Sequence, residues 1–117
     1  PPDLSEFTQL QEKYLSRFDE LMDRSSIDVL IFPQSFKSVP LIGNGSMTPT
    51  ASPHINILGL PAIIVPAGSY ADGSPFSLIF IGRKCSEAKL LSFAYAFEQW
   101  FNDKDHLSRV YSQGEKQ

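Results

Sequence analysis

Three short apolar runs constrain this chain more than any other feature: Val29-Leu30-Ile31-Phe32, Ala62-Ile63-Ile64-Val65 and Phe76-Ser77-Leu78-Ile79-Phe80-Ile81. The first two are continuously apolar and rich in β-branched residues, which reads as buried strand rather than surface strand. All are far too short to cross a bilayer. Proline punctuates them. Pro33 closes the first run, and Pro61 and Pro66 fence the second so that it is not extended into its flanking loops. Between the second and third, Ser69-Tyr70-Ala71-Asp72-Gly73 supplies turn chemistry, so the two are expected to pair as an antiparallel hairpin.

Two helical segments frame these strands. Leu4, Phe7, Leu10, Tyr14, Phe18 and Leu21 recur at spacings of three or four, one stripe of an amphipathic helix over about Ser5 to Arg24. Asp3 stands three residues before Glu6 as a capping-box-like start, and Ser25-Ser26 break the pattern. A second helix opens after Ser86, with Leu90, Leu91, Phe93, Ala94, Phe97, Trp100 and Phe101 covering more than half its circumference. So wide an apolar arc is expected to be buried by several neighbours. The tail from Asn102 is polar and is expected to fray. From Gln34 to Pro53 the pattern dissolves into a long loop, followed by a helical turn over Pro53 to Leu58 that Gly59 ends.

The size and charge of the chain exclude several functions. Its 117 residues fit one domain, and ten Lys+Arg against thirteen Asp+Glu give a net charge of -3. The basic residues are scattered, which argues against a nucleic-acid partner. No stretch reads as a membrane span or a signal peptide. Cys85 is the only cysteine, so no internal disulfide is possible, and a cytoplasmic location is expected. Nine Phe, four Tyr and one Trp are a large aromatic load for one small core. With the absence of an opening Met, that load reads as a piece of something longer.

The string Asn56-Ile57-Leu58-Gly59-Leu60-Pro61-Ala62-Ile63-Ile64-Val65-Pro66-Ala67-Gly68 resembles the Asn-x-x-Gly-x-Pro-Ala-x-x-x-Pro-x-Gly block of the amidase-signature family. Asp72-Gly73-Ser74-Pro75, the strand from Phe76 to Gly82, and Glu87-Ala88-Lys89-Leu90-Leu91 follow in the order the family has them, and Asp28 to Pro33 matches its Asp-led strand upstream. The similarity runs from about Phe18 to Glu98. The third strand departs from it, with Ser77 and Ile79 where many members have Gly and Gln. The resemblance implies an α/β fold: a three-stranded part of a mixed sheet flanked by two long helices, from the C-terminal part of such a protein. Gly59 and Gly68 are then positions for positive φ or close approach.

Members of that family resemble serine hydrolases of carboxamides with a Ser-Ser-Lys triad and a Gly/Ser-rich oxyanion loop. Those elements lie upstream of the region matched here. Gly43-Asn44-Gly45-Ser46 reads as turn chemistry, and none of Lys13, Lys37, Lys84, Lys89, Lys104 or Lys116 stands in the catalytic-lysine context. No catalytic residue is therefore assigned, and the chain alone is expected to be inactive. The resemblance does imply substrate contacts just before the Asn-x-x-Gly block, at Thr50, Ser52 and His54, with Asn56 behind them; as plain residues, these read as loop hydrogen-bonding groups. His54 and His106 are not at metal-ligand spacing, Cys85 reads as an incidental thiol, and no cofactor or metal is expected. Three accounts remain. The chain is part of an amidase acting on small amides, or a noncatalytic interaction module derived from one, or an independent domain with a chance likeness. The first two require a large exposed apolar face, covered by the rest of an amidase chain or by self-association.

Overall fold

The computed structural model describes residues 2–40, 42–43, 50 and 52–114, the last ten by their backbone alone. Helix α1 runs over Ser5–Arg24, as the periodicity requires. Its start differs from the capping box: Leu4 takes the cap position without a side-chain bond. Asp3 sits one residue further out, where its carboxylate accepts the Ser5 N–H at 2.9 Å. The end is a Schellman closure. Ser26 turns left-handed (φ 51), and the N–H groups of Ser26 and Ile27 donate to the carbonyls of Asp23 and Met22 at 3.1 and 2.9 Å.

Strands β1 (Leu30–Pro33), β2 (Ala62–Ser69) and β3 (Pro75–Ile81) form one sheet in the order β1-β3-β2. Both pairings are antiparallel, so the parallel pairing a mixed sheet requires does not occur within these three strands. β2 and β3 are the expected hairpin. Its turn is held by Tyr70 and Ser74 across a 2.8 Å backbone bond, with the Asp72 carboxylate accepting both the N–H and the hydroxyl of Ser74. Pro66 does not fence the strand. β2 continues to Ser69, with a register shift between Pro66 and Gly68 (φ 122). It is an edge strand, the setting that tolerates a residue without an N–H, and the irregularity falls just after the proline.

Alternation along β3 divides the core in two. Phe80 joins Val65 of β2 and Leu90 and Ala94 of helix α3 (Glu87–Gly114), with Val29, Ile63, Leu78 and Phe97 packed around them. Ile79 and Ile81 face the other way, onto Ile55 of helix α2 (Ser52–Leu58), with Phe18, Phe32 and Leu60 at the margin. Two ion pairs, both at 2.7 Å, join the β3–α3 segment to the end of α1 and the approach to β1: Arg83 of the turn after β3 to Asp23 of α1, and Lys89 of α3 to Asp28. The helix α3 also carries on through the tail expected to fray, ending at Gly114.

The wide arc of α3 is not covered on all sides: Leu91, Phe93, Tyr95 and Trp100 are exposed. Nor is the stripe of α1, where Leu4, Phe7, Leu10, Tyr14 and Leu21 all face solvent and only Met22 is buried. Ile31 on β1 and Ile64 on β2 are each about half-exposed, so neither face of the sheet is covered to its edges. The radius of gyration, 18.7 Å, exceeds the roughly 13 Å expected of a compact chain of this length. A domain closed around its own core would not look like this, which counts against the independent-domain account.

Candidate functional site

Helix α2 positions the site. It opens at Ser52 and ends in a second Schellman closure. Gly59 (φ 64) donates to the Asn56 carbonyl at 3.3 Å and Leu60 donates to that of Ile55 at 3.1 Å, while the Leu60 side chain packs against the cluster of Ile55, Ile79 and Ile81. Any other residue would be strained at Gly59. The Gln11 side-chain amide of α1 donates to the Ile57 carbonyl at 2.6 Å, so the open C-terminal end of α2 is satisfied from the neighbouring helix.

The long loop is gathered at its base. Ser35 and Thr50 form an isolated antiparallel bridge, and the Tyr70 hydroxyl donates to the Ser35 carbonyl at 2.8 Å. Tyr70 in turn meets Phe76 edge-on, with ring centroids 5.3 Å apart. The bridge brings Thr50 beside the end of β1 despite the length of loop that separates it from Ser35. Asn44, Gly45 and Ser46, from the turn-like string of the loop, lie outside the described residues, as does the side chain of His106.

A cavity of about 440 Å³ opens between these elements. Phe18 of α1, Leu30 and Phe32 of β1, and Ile81 of β3 supply one part of its lining; Ile55, Leu58 and Leu60 at α2, with Phe36 of the loop, supply another. Thr50 and His54 are its only polar lining residues among those described. Of the four residues expected at the site, the structure therefore brings two together. Ser52 and Asn56 are not in the lining. Two residues along a helix is about 200° of rotation, so both lie on the side of α2 opposite His54. The apolar wall was not foreseen from the sequence. Its signal was present in the spacing of Leu30 with Phe32, since alternation puts that pair on one sheet face.

The sequence of this chain is similar to those of known proteins. No family model matches the chain. The A subunit of glutamyl-tRNA(Gln) amidotransferase from Parvibaculum lavamentivorans is 39% identical over 82 residues, 64% of this chain and 17% of that protein. Its counterpart in Thermoanaerobacter pseudethanolicus is 42% identical over 79 residues, 62% of this chain and 16% of that one. The counterpart in Pelagibacter ubique is 30% identical over 98 residues, 78% of this chain and 20% of that protein. This chain is homologous to the C-terminal part of amidase-signature proteins. It spans about a fifth or less of the length of the relatives it matches.

Within the amidase-signature homology, the described residues offer little chemistry of their own. They hold no group of three His, Cys, Asp or Glu able to bind a metal ion. Cys85 is exposed in the turn before α3, away from the cavity lining. No described helix is long and apolar enough to cross a membrane. The perturbed acids are at the periphery. A hydrogen bond from Lys89, reinforced by its positive charge, holds Asp28 below the usual carboxylate value. Bonds from Ser74, and a lesser one from Ser38, do the same for Asp72. These arrangements fasten elements together; neither acid lines the cavity.

Proposed function

We propose that this chain acts as the C-terminal part of an amidase-like hydrolase of carboxamide bonds, providing scaffold and one wall of the substrate pocket while the nucleophile, base and oxyanion donors come from elsewhere. The observation that carries this reading is the cavity at the head of the amidase-signature block, with Thr50 and His54 set into an otherwise apolar lining. Such a surface orients a substrate without reacting with it. Ser52 and Asn56 then act in support, Ser52 at the start of α2 and Asn56 within its C-terminal closure. The exposed stripe of α1 and the open sheet margins are the surfaces on which the remainder of an amidase chain would pack, or, failing that, a second copy of this one. A cytoplasmic location fits the single exposed thiol.

Two measurements test the proposal. The chain by itself should show no amide hydrolysis, and turnover that tracks substitution of Ser52 or His54 would overturn it. In a full-length amidase carrying this segment, Thr50→Val and His54→Ala should shift KM and the ranking of substrates while kcat changes little. A loss confined to kcat would place these residues in the chemistry instead.

A further inference from the structure

Two lining residues of the cavity, Phe36 and Thr50, come from the long loop, and neither belongs to a buried cluster. Phe36 is 68% exposed. Core packing therefore does not place them. Both are reached through Ser35: Phe36 is the next residue, and Thr50 is its partner in the antiparallel bridge. The Ser35 hydroxyl turns away to the Lys37 carbonyl at 2.8 Å, which leaves the main chain to carry the bridge.

That main chain is gripped from the β2–β3 turn. The Tyr70 hydroxyl donates to the Ser35 carbonyl at 2.8 Å in a half-buried setting, and the Asp72 carboxylate takes a hydrogen bond from Ser38. Because β3 lies between β2 and β1 in the sheet, the Tyr70 side chain spans the end of β3 to reach Ser35, meeting Phe76 edge-on. The turn that carries it is closed on itself. The Tyr70 N–H donates to the Ser74 carbonyl at 2.8 Å, and the Gly73 N–H donates to the Tyr70 carbonyl at 2.9 Å. Tyr70 is thus held by its own turn and by an aromatic neighbour, and it does not line the cavity.

We propose that Tyr70 is a positioning residue for the cavity: from outside the lining, its hydroxyl sets where Ser35 stands, and so where Phe36 and Thr50 enter the wall. The consequence for substrate preference rests on the reading of the cavity as a substrate wall given above.

Hydrogen exchange of the whole chain tests the hold. Tyr70→Phe removes the hydroxyl and keeps the ring against Phe76. Exchange at Gln34, Ser35 and Thr50 should speed up by about fivefold and the Thr50 methyl resonance should move, with the amides of Gly73 and Phe80 unchanged. Equal acceleration at Phe80 would make Tyr70 a general stabiliser, and an unchanged Thr50 would mean that the wall stands without it; either result overturns the inference. In a full-length amidase carrying this segment, Tyr70→Phe should shift KM and the ranking of substrates as Thr50→Val does, with kcat little changed. The double substitution should do little more than Thr50→Val alone. Additive shifts would mean that Tyr70 does not act through Thr50, and would also overturn the inference. Should Thr50→Val leave KM as it was while the bridge still loosens in Tyr70→Phe, the substrate wall falls and the placing of Thr50 by Tyr70 stands.

Discussion

On one face of the sheet, Phe80 sits among Val65, Leu90 and Ala94, and its ring meets Phe97 at 5.7 Å. On the other, Ile79 and Ile81 rest on Ile55, and beyond them lies open volume. Both faces are built from adjacent residues of the same strand, so strand propensity does not distinguish them. The covering helices do. α3 lays a long helix across β2 and β3, whereas α2 is seven residues long and α1 reaches the cluster on that face through Phe18. A short helix cannot seal a sheet face, and what it leaves uncovered is the candidate site. The tightly packed core and the candidate site thus lie on opposite sides of β3.

The largest expected effect tests that division. Phe80→Ala removes a ring that is 1% exposed and should cost about 3–5 kcal/mol, enough to abolish cooperative unfolding in so small a core. Leu58→Ala, which enlarges a space already open to solvent, should cost only about 1 kcal/mol, because water replaces the lost side chain without leaving a sealed void. Denaturant midpoints for the pair settle it; equal losses would mean that the two faces are equally closed.

Gly82 marks the tightest point on the closed face. A Cβ there would overlap the Ser86 hydroxyl and press on Leu90. Gly82→Ala should therefore cost about 1–3 kcal/mol, and pairing it with Ser86→Ala should recover part of the loss. If Gly82→Ala proves neutral, α3 is held less closely against β3 than the geometry requires.

The regular elements were legible in the sequence because they obey local rules. The periodicity of α1 placed its bounds at Ser5 and Arg24, and Asp72-Gly73 placed the hairpin. Pro66 misled because a proline stops a strand only where its N–H is needed, and edge position is a tertiary fact. The continuation of α3 past Asn102 follows from cooperativity, since extending a formed helix fixes one residue per bond. The candidate cavity was less legible. A resemblance can name positions before the Asn-x-x-Gly block, but only the rotation of α2 separates His54 from Ser52 and Asn56, and that helix was foreseen merely as a turn. The bridge from Ser35 to Thr50, which carries Thr50 to the cavity, leaves no periodic trace at all.

A smaller effect is expected where α1 ends. Ser26 holds a left-handed conformation that a side chain disfavours. Ser26→Gly should add about 0.5–1 kcal/mol by thermal melt, with both closing hydrogen bonds kept. It should do so without changing the methyl resonances of Leu30, Leu58 and Ile81, since the closure lies outside the cavity lining. An altered response there would mean that the setting of α1, through Phe18, controls the site.

The smallest effect is the dependence on acid, and it differs between the two sides of the molecule. Asp28 is held below the ordinary 3.8 first by the Lys89 hydrogen bond and then by its charge, Asp72 first by the Ser74 hydroxyl. A carboxyl whose folded value is depressed binds its proton more readily in the unfolded chain. Its contribution is therefore fully present above the ordinary value and disappears as pH falls through the lower folded one. Both should weaken below about pH 4. Salt separates them. The Asp28–Lys89 pair fastens α3 to the start of β1 through opposite charges on exposed groups, so moderate salt should erase much of its share. Asp72 accepts from neutral donors in the hairpin turn and from Ser38 in the loop, and no ion pair among the described residues involves it. Melting Asp28→Asn and Asp72→Asn between about pH 3 and 7 at low and high salt should show a salt-sensitive loss only for Asp28. If both lose stability alike in salt, the turn beside the loop is held by long-range charge and not by the local bonds seen here.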